Sequence, residues 1–235
     1  MIPIGDDRRI PIFPLSVYAI IALNIYAFYR ELSGSQMDAF VNAYATIPFD
    51  ITHGIQLAAS PHPQILTIFS GMFLHASFWH LFFNMLFLAV FGPQMEYMLG
   101  DIGFIAFYLA CGVIGSLTQI FVNPASHVPE IGASGAIAGV LGAYIVNFPT
   151  NSIRAILPIG CFPLFLRLPA ILVIGIWAVV QFIHGFGTVD SRAGVESGAS
   201  IAYFAHIGGF LAGVFLIYFF RPRKGRRIHR SGLRV

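Results

Sequence analysis

The chain has 235 residues, of which 57% are hydrophobic and 10% are charged, and its mean hydropathy is +0.79. Soluble domains carry about 25% charged residues, so this composition excludes an ordinary soluble protein and predicts a polytopic helical membrane protein. The formal net charge of +3 does not indicate nucleic-acid binding, because the basic residues crowd into positions 221–235, directly after an apolar run. Such a tail is typical of a cytoplasmic membrane anchor.

Apolar runs long enough to cross a membrane, which takes about 17–25 residues, occur at six places. We therefore expect an all-α bundle of six transmembrane helices. It forms one domain over 1–235, with a core at about 12–220 and a basic tail at 221–235. External loops are expected at about 31–75 and 187–199. The predicted spans are 12–30, 76–97, 102–122, 133–149, 168–186 and 200–220.

The orientation of the bundle follows from lysine and arginine. With the N-terminus inside, the inner segments hold 11 of the 13 basic residues, and the outer segments hold only Arg30 and Arg192. Because basic residues favour the cytoplasmic side, both termini are predicted to be cytoplasmic. We expect a multi-pass protein of a cell membrane, the plasma membrane of a prokaryote.

Four polar residues in three of the predicted spans lie at one depth. Ser134 begins span four, His206 lies about two turns into span six, and His80 and Asn84 lie near the start of span two. These spans all run inward, so the four groups share the outer third of the membrane at a rise of about 1.5 Å per residue. Polar groups are expensive at that depth and are usually functional.

Helical periodicity predicts which of these groups face each other. His80 and Asn84 are four residues apart and share a face, whereas His75 is rotated away by about 140°, which disfavours a metal-chelating pair. Rows of small residues on spans four and six would let the two helices approach closely and bring His206 to Ser134. The rows are Ser134, Ala138 and Gly142 on span four, and Ala205, Gly209 and Gly213 on span six.

These residue types are typical of nucleophilic catalysis. Serine is a weak nucleophile until a base takes its proton, and burial keeps an imidazole neutral and ready to accept one. Asn84, His80 and the backbone N–H of Ser134 are candidate donors to an oxyanion. Glu96 and Asp101 lie towards the inner side, so we predict a Ser–His dyad without a carboxylate. The chain has no HExxH or GxGD motif, and we expect no metal, cofactor, nucleotide or nucleic acid.

Several segments resemble the signature motifs of the rhomboid intramembrane serine proteases, in that family's order, over about Pro63–Gly213. The resemblance implies a six-helix core, a catalytic Ser134–His206 dyad, and His80 and Asn84 at the oxyanion site. It also implies cleavage of transmembrane proteins near their external ends. The segments are Gly132-Ala133-Ser134-Gly135, Ala205-His206-Ile207-Gly208-Gly209, His80-Leu81-Phe82-Phe83-Asn84, Met72-Phe73-Leu74-His75, and Phe91-Gly92-Pro93 followed by Glu96.

Two features depart from that pattern: Ala138 stands where many bacterial members carry an aromatic residue, and the first loop has no Trp-Arg pair. The main prediction is an intramembrane serine endopeptidase that acts on transmembrane proteins in the lipid bilayer through an acyl-enzyme. One alternative is a catalytically inactive relative that binds transmembrane clients. A small transporter or channel with buried polar groups is the other.

Overall fold

The computed structural model describes residues 1–33, 37–55, 60–159, 162–189 and 202–220. Within these ranges the chain is mostly helical, and every predicted apolar segment forms a helix. The predicted basic tail and residues 190–199 of the second external loop lie outside the described residues. The helices are α1 (Leu15–Ser33), α2 (Met37–Tyr44), α3 (Pro48–His53), α4 (Thr67–Ser70), α5 (Phe78–Leu99), α6 (Asp101–Val122), α7 (Ser134–Asn147), α8 (Ala170–Val189) and α9 (Tyr203–Phe220).

Four of the described helices, α5, α6, α8 and α9, are long and apolar enough to cross a membrane. The other two predicted spans are weaker candidates for physical reasons. Helix α1 has 19 residues but carries Asn24, Arg30 and Glu31, which lower its hydropathy. Helix α7 has 14 residues, about 21 Å of helix at 1.5 Å per residue, which is less than the hydrocarbon core of a bilayer.

A three-stranded antiparallel sheet departs from the predicted all-α fold. Strand β2 (Ser152–Ile159) lies between β1 (Ile2–Asp6) and β3 (Phe162–Pro169). The sequence predicts an inner connection here, between the apolar runs 133–149 and 168–186, with Arg154 and Arg167 as its basic residues. Those residues in fact bind across the sheet: Arg154 lies 3.1 Å and Arg167 3.6 Å from the carboxylate of Asp7.

Two buried carboxylates attach α1 to the rest of the bundle. Glu96 of α5 accepts hydrogen bonds from the backbone N–H groups of Ser16 (2.9 Å) and Val17 (2.7 Å), which begin α1 and have no partner within it. At the other end of α1, Glu31 accepts from the backbone N–H of His75 at 3.0 Å. The start of α1 is therefore fixed to α5, and its end is fixed to the segment that leads into α5.

The small-residue faces of α7 and α9 pack backbone against backbone, as predicted. A Cβ atom on Gly209 would overlap the backbone of Gly135, and one on Gly213 would overlap the backbone of Gly139. On α7, a Cβ on Gly142 would likewise overlap the backbone of Phe210. Only glycine permits this approach, which sets the separation of the two helices beside Ser134 and His206.

We expect Gly213→Ala to lower the thermal unfolding temperature in detergent micelles, because the added methyl group forces α7 and α9 apart. Overpacking of this kind costs about 1–3 kcal/mol. Gly175→Ala in α8 is the matched control, since no atom lies within 4 Å of the position its Cβ would take. Equal unfolding temperatures for the two variants would contradict the packing described here.

Candidate active site

Ser134 is the first residue of α7, and the loop before it is fixed by backbone contacts. Glu130 pairs with Thr46 in an isolated β-bridge, and the N–H of Gly132 donates to the carbonyl of Gly71 at 2.9 Å. Gly132 has a φ of 122°, and a Cβ there would lie 2.8 Å from the ring of His80. Glycine is therefore required at position 132 both for its backbone angle and for the approach of His80.

The structure brings Ser134 and His206 into direct contact. The hydroxyl Oγ of Ser134 lies 2.7 Å from Nε2 of His206, which is hydrogen-bond distance. His206 is 9% exposed and sits in the first turns of α9. A serine hydroxyl facing an imidazole nitrogen at this distance is the geometry in which the imidazole can take the hydroxyl proton.

The other ring nitrogen of His206 has a partner that the sequence analysis missed. Nδ1 of His206 lies 2.7 Å from Oε1 of Gln181 in α8. The available signal was polarity, because Gln181 interrupts an otherwise apolar run in a predicted span. Gln181 carries a neutral amide, whereas the third member of a serine triad is typically a carboxylate.

Aromatic rings also surround His206, although Ala138 supplies none from α7. The ring of Trp177 in α8 has its centroid 6.1 Å from that of His206. The ring of Tyr203 meets His206 edge-on at 6.4 Å. The imidazole is therefore enclosed by groups from α8 and α9.

His80 and Asn84 lie together on the wall of the cavity that contains Ser134 and His206, as their spacing predicted. Ser77 caps α5 by accepting from the backbone N–H of His80 at 3.1 Å, so His80 stands in the first turn of α5 and Asn84 in the next. Nδ2 of Asn84 is buried and has no hydrogen-bond partner among the described residues. An unpaired buried donor is costly, so this amide is available to a ligand in the cavity.

The prediction that His75 points away from His80 was wrong. The two rings meet edge-to-face with centroids 5.0 Å apart. The predicted rotation assumed a continuous helix, but α5 begins at Phe78, so helical periodicity does not apply to His75. Within the described residues, no group of three or more His, Cys, Asp or Glu side chains could hold a metal ion.

The expectation that no carboxylate lies near Ser134 was also wrong. Glu130 lines both the large cavity and a second one of about 10 Å³ that Ser134 also borders. Oε1 of Glu130 accepts a hydrogen bond from Ser116 at 2.8 Å, and Oε2 is buried with no partner among the described residues. Burial raises the pKa of Glu130 from 4.5 to about 7, against the opposing effect of the Ser116 hydrogen bond.

The large cavity has a volume of about 860 Å³ and is lined by residues from several helices. Its walls come from α5, α7, α8 and α9, and residues of α2 and of the loop before Ser134 close another side. Most of the lining is apolar, and the few polar groups converge near Ser134, an arrangement typical of a binding site. Besides the four predicted residues, the lining includes Asp38 and Trp177.

Comparison with known protein families assigns the chain to one of them. The model of the Rhomboid domain matches residues 62–223, which is more than half of the chain and contains all four predicted site residues. The chain belongs to the rhomboid family. It is therefore a membrane-spanning rhomboid protein.

The rhomboid chain is similar to curated proteins from bacteria, yeast and plants. Rhomboid protease GluP of Bacillus subtilis is 30% identical over 86% of this chain and 34% of its own length. Rhomboid protein 1, mitochondrial, of Saccharomyces cerevisiae is 29% identical over 71% of this chain and 46% of its own length. RHOMBOID-like protein 5 of Arabidopsis thaliana is 32% identical over 67% of this chain and 45% of its own length. The chain thus spans less than half the length of these relatives.

The raised pKa of Glu130 predicts a pH-dependent stability. The folded state favours the protonated carboxyl, so its stabilising contribution is complete below about pH 4.5 and is lost as the pH rises through about 7. Glu130→Gln keeps the oxygen that accepts from Ser116 but cannot ionise. We expect the unfolding temperature of the rhomboid protein to fall, relative to that of the variant, between pH 5 and 8. A constant difference between the two over that range would contradict the assignment.

Proposed function

We propose that this rhomboid protein is an intramembrane serine endopeptidase in which Ser134 is the nucleophile and His206 is the general base and acid. The observation that carries the proposal is the 2.7 Å contact between Oγ of Ser134 and Nε2 of His206. A relative whose name calls it a protease, GluP of Bacillus subtilis, supports the same reaction class. The proposed substrates are transmembrane proteins, which reach the cavity from the lipid bilayer.

The proposed reaction has two stages. In the first, the Ser134 oxygen attacks the scissile carbonyl carbon while His206 Nε2 takes the hydroxyl proton, and His206 then gives that proton to the leaving amine. In the second, His206 takes a proton from water as the water oxygen attacks the acyl carbon, and His206 then returns that proton to the Ser134 oxygen as the bond between this oxygen and the acyl carbon breaks. Ser134 and His206, which lie 2.7 Å apart, are the two side chains that form a bond or transfer a proton in these steps.

His80, Asn84 and the first N–H groups of α7 are proposed to bind the oxyanion of the tetrahedral intermediate. The first backbone N–H groups of a helix have no partner within it and carry partial positive charge, which suits an anion at Ser134. The unpaired Nδ2 of Asn84 supports the same role, because the cavity gives it no other acceptor among the described residues.

Cleavage of a single-span substrate in liposomes tests the proposal. We expect the wild type to cleave in the presence of a metal chelator, and Ser134→Ala and His206→Ala each to lose activity by several orders of magnitude. Cleavage that survives Ser134→Ala would contradict the assignment. A folded wild type that binds substrates without cutting them would favour an inactive client-binding protein. Solute flux that Ser134→Ala leaves unchanged, without proteolysis, would favour a transporter or channel.

Asn84→Ala tests the oxyanion role separately. Loss of one oxyanion donor typically lowers kcat by about 10²–10³, and KM should change little because the donor acts on the transition state. Asn123→Ala is the matched control, since Asn123 is exposed in the loop after α6. A change in KM alone would indicate that Asn84 binds substrate without stabilising the oxyanion.

We also propose that residues 1–235 form one domain of six spans with both termini cytoplasmic, in the plasma membrane of a prokaryote. The 11 to 2 distribution of basic residues supports this orientation. Phe162, which is exposed, then lies on the cytoplasmic side, and Cys111 is buried. In a Cys161→Ser background, a membrane-impermeant maleimide should label Phe162→Cys only from the cytoplasmic side and should leave the background variant unlabelled. Labelling from the outside would contradict the proposed topology and indicate the opposite orientation.

A further inference from the structure

We infer that Gln181 is a positioning residue for His206 and takes the part that a buried carboxylate plays in a Ser-His-Asp triad. The inference rests on the proposed function and extends it to a third residue. Its basis is the 2.7 Å contact between Oε1 of Gln181 and Nδ1 of His206, on the far side of the ring from Ser134. The three groups form one line of hydrogen bonds across α8, α9 and α7.

The tautomer of His206 decides whether it can act as a base. A neutral imidazole carries its proton on one nitrogen and has a lone pair on the other. Nε2 must hold the lone pair to accept the Ser134 proton, so Nδ1 must hold the hydrogen. A carbonyl oxygen of Gln181 facing Nδ1 accepts that hydrogen and stabilises this tautomer. If the amide were reversed, its NH₂ group would face Nδ1, the proton would move to Nε2, and His206 could not deprotonate Ser134.

A neutral amide suits this environment better than a carboxylate does. His206 is buried and Gln181 is partly buried, so an ionised carboxylate at position 181 would carry a desolvation cost that a neutral amide avoids. The amide oxygen needs no charge to orient the ring. When Ser134 transfers its proton, the imidazolium still has two acceptors, the serine oxygen and the Gln181 oxygen. No proton moves to Gln181, and the hydrogen bond strengthens because its donor has become charged.

Helix α8, which carries Gln181, is only loosely packed against the rest of the bundle. Only 28% of the apolar span of α8 is buried, compared with 50% of that of α9. Its side chains at Ile176, Val179 and Ile183 are more than half exposed. Gln181 is instead turned towards His206, together with Trp177, whose ring is 6.1 Å from the imidazole. This loosely packed helix thus contacts the imidazole of His206 through the polar side chain of Gln181.

Gln181→Met and Gln181→Glu form the decisive pair. Methionine has nearly the same length but offers no comparable acceptor, so we expect kcat to fall roughly ten- to a hundredfold with little change in KM, the size expected for a hydrogen bond to a group that becomes charged. Glutamate keeps an acceptor oxygen and should restore kcat to within a few fold of the wild type. Ile176→Ala, on the exposed face of α8, should leave kcat unchanged.

The tautomer is measured directly, without substrate, from the ¹⁵N resonances of histidine-labelled protein in micelles, with His206→Ala to assign the signal. We expect hydrogen on Nδ1 in the wild type and in Gln181→Glu, and a mixture of tautomers in Gln181→Met. Hydrogen on Nε2 in the wild type, or an unchanged tautomer and kcat in Gln181→Met, would overturn the inference. If the wild type cleaves nothing, the proposed function fails, and the resonances still decide the Gln181 contact.

Discussion

The close approach of α7 and α9 is the constraint on which the candidate site depends. Ser134 and His206 belong to different helices, so the 2.7 Å between them is set by helix separation. Gly209 and Gly213 on α9 lie directly against the backbone of α7, where no side chain fits. Without a hydrophobic driving force between helices in lipid, this backbone contact is a main source of association energy. The packing that stabilises the bundle therefore also aligns the polar pair.

Much of this arrangement could be predicted from the sequence. Long apolar runs predict the helices, and a shared predicted depth together with the rows of small residues predicts that Ser134 and His206 meet. These predictions succeeded because a membrane imposes length and direction on each span. Strand β1 could not be foreseen in the same way, because it pairs with β2 and these two strands lie far apart in the chain. Strands β2 and β3 are neighbours in the chain and pair directly with each other.

Gln181, Glu130 and His75 show why the remaining parts of the site were missed. Gln181 contacts His206, Glu130 lines the cavity with Ser134, and His75 meets the ring of His80, all through tertiary contacts that a depth argument does not capture. Glu130 sits in a loop that pairing with Thr46 holds beside the cavity. His75 precedes the helix whose periodicity was applied to it. Gln181 is one polar residue on α8, the least buried of the four candidate spans, and the position of α9 gives it His206 as a partner.

The central claim is that His206 activates Ser134 as a nucleophile. Covalent reaction with a fluorophosphonate, followed by mass spectrometry of the digested protein, measures this activation without any choice of peptide substrate. The account predicts one phosphonyl group, on Ser134, in the wild type and none in His206→Ala under the same conditions. A phosphonyl group on a different serine, or labelling of Ser134 that does not depend on His206, would contradict it.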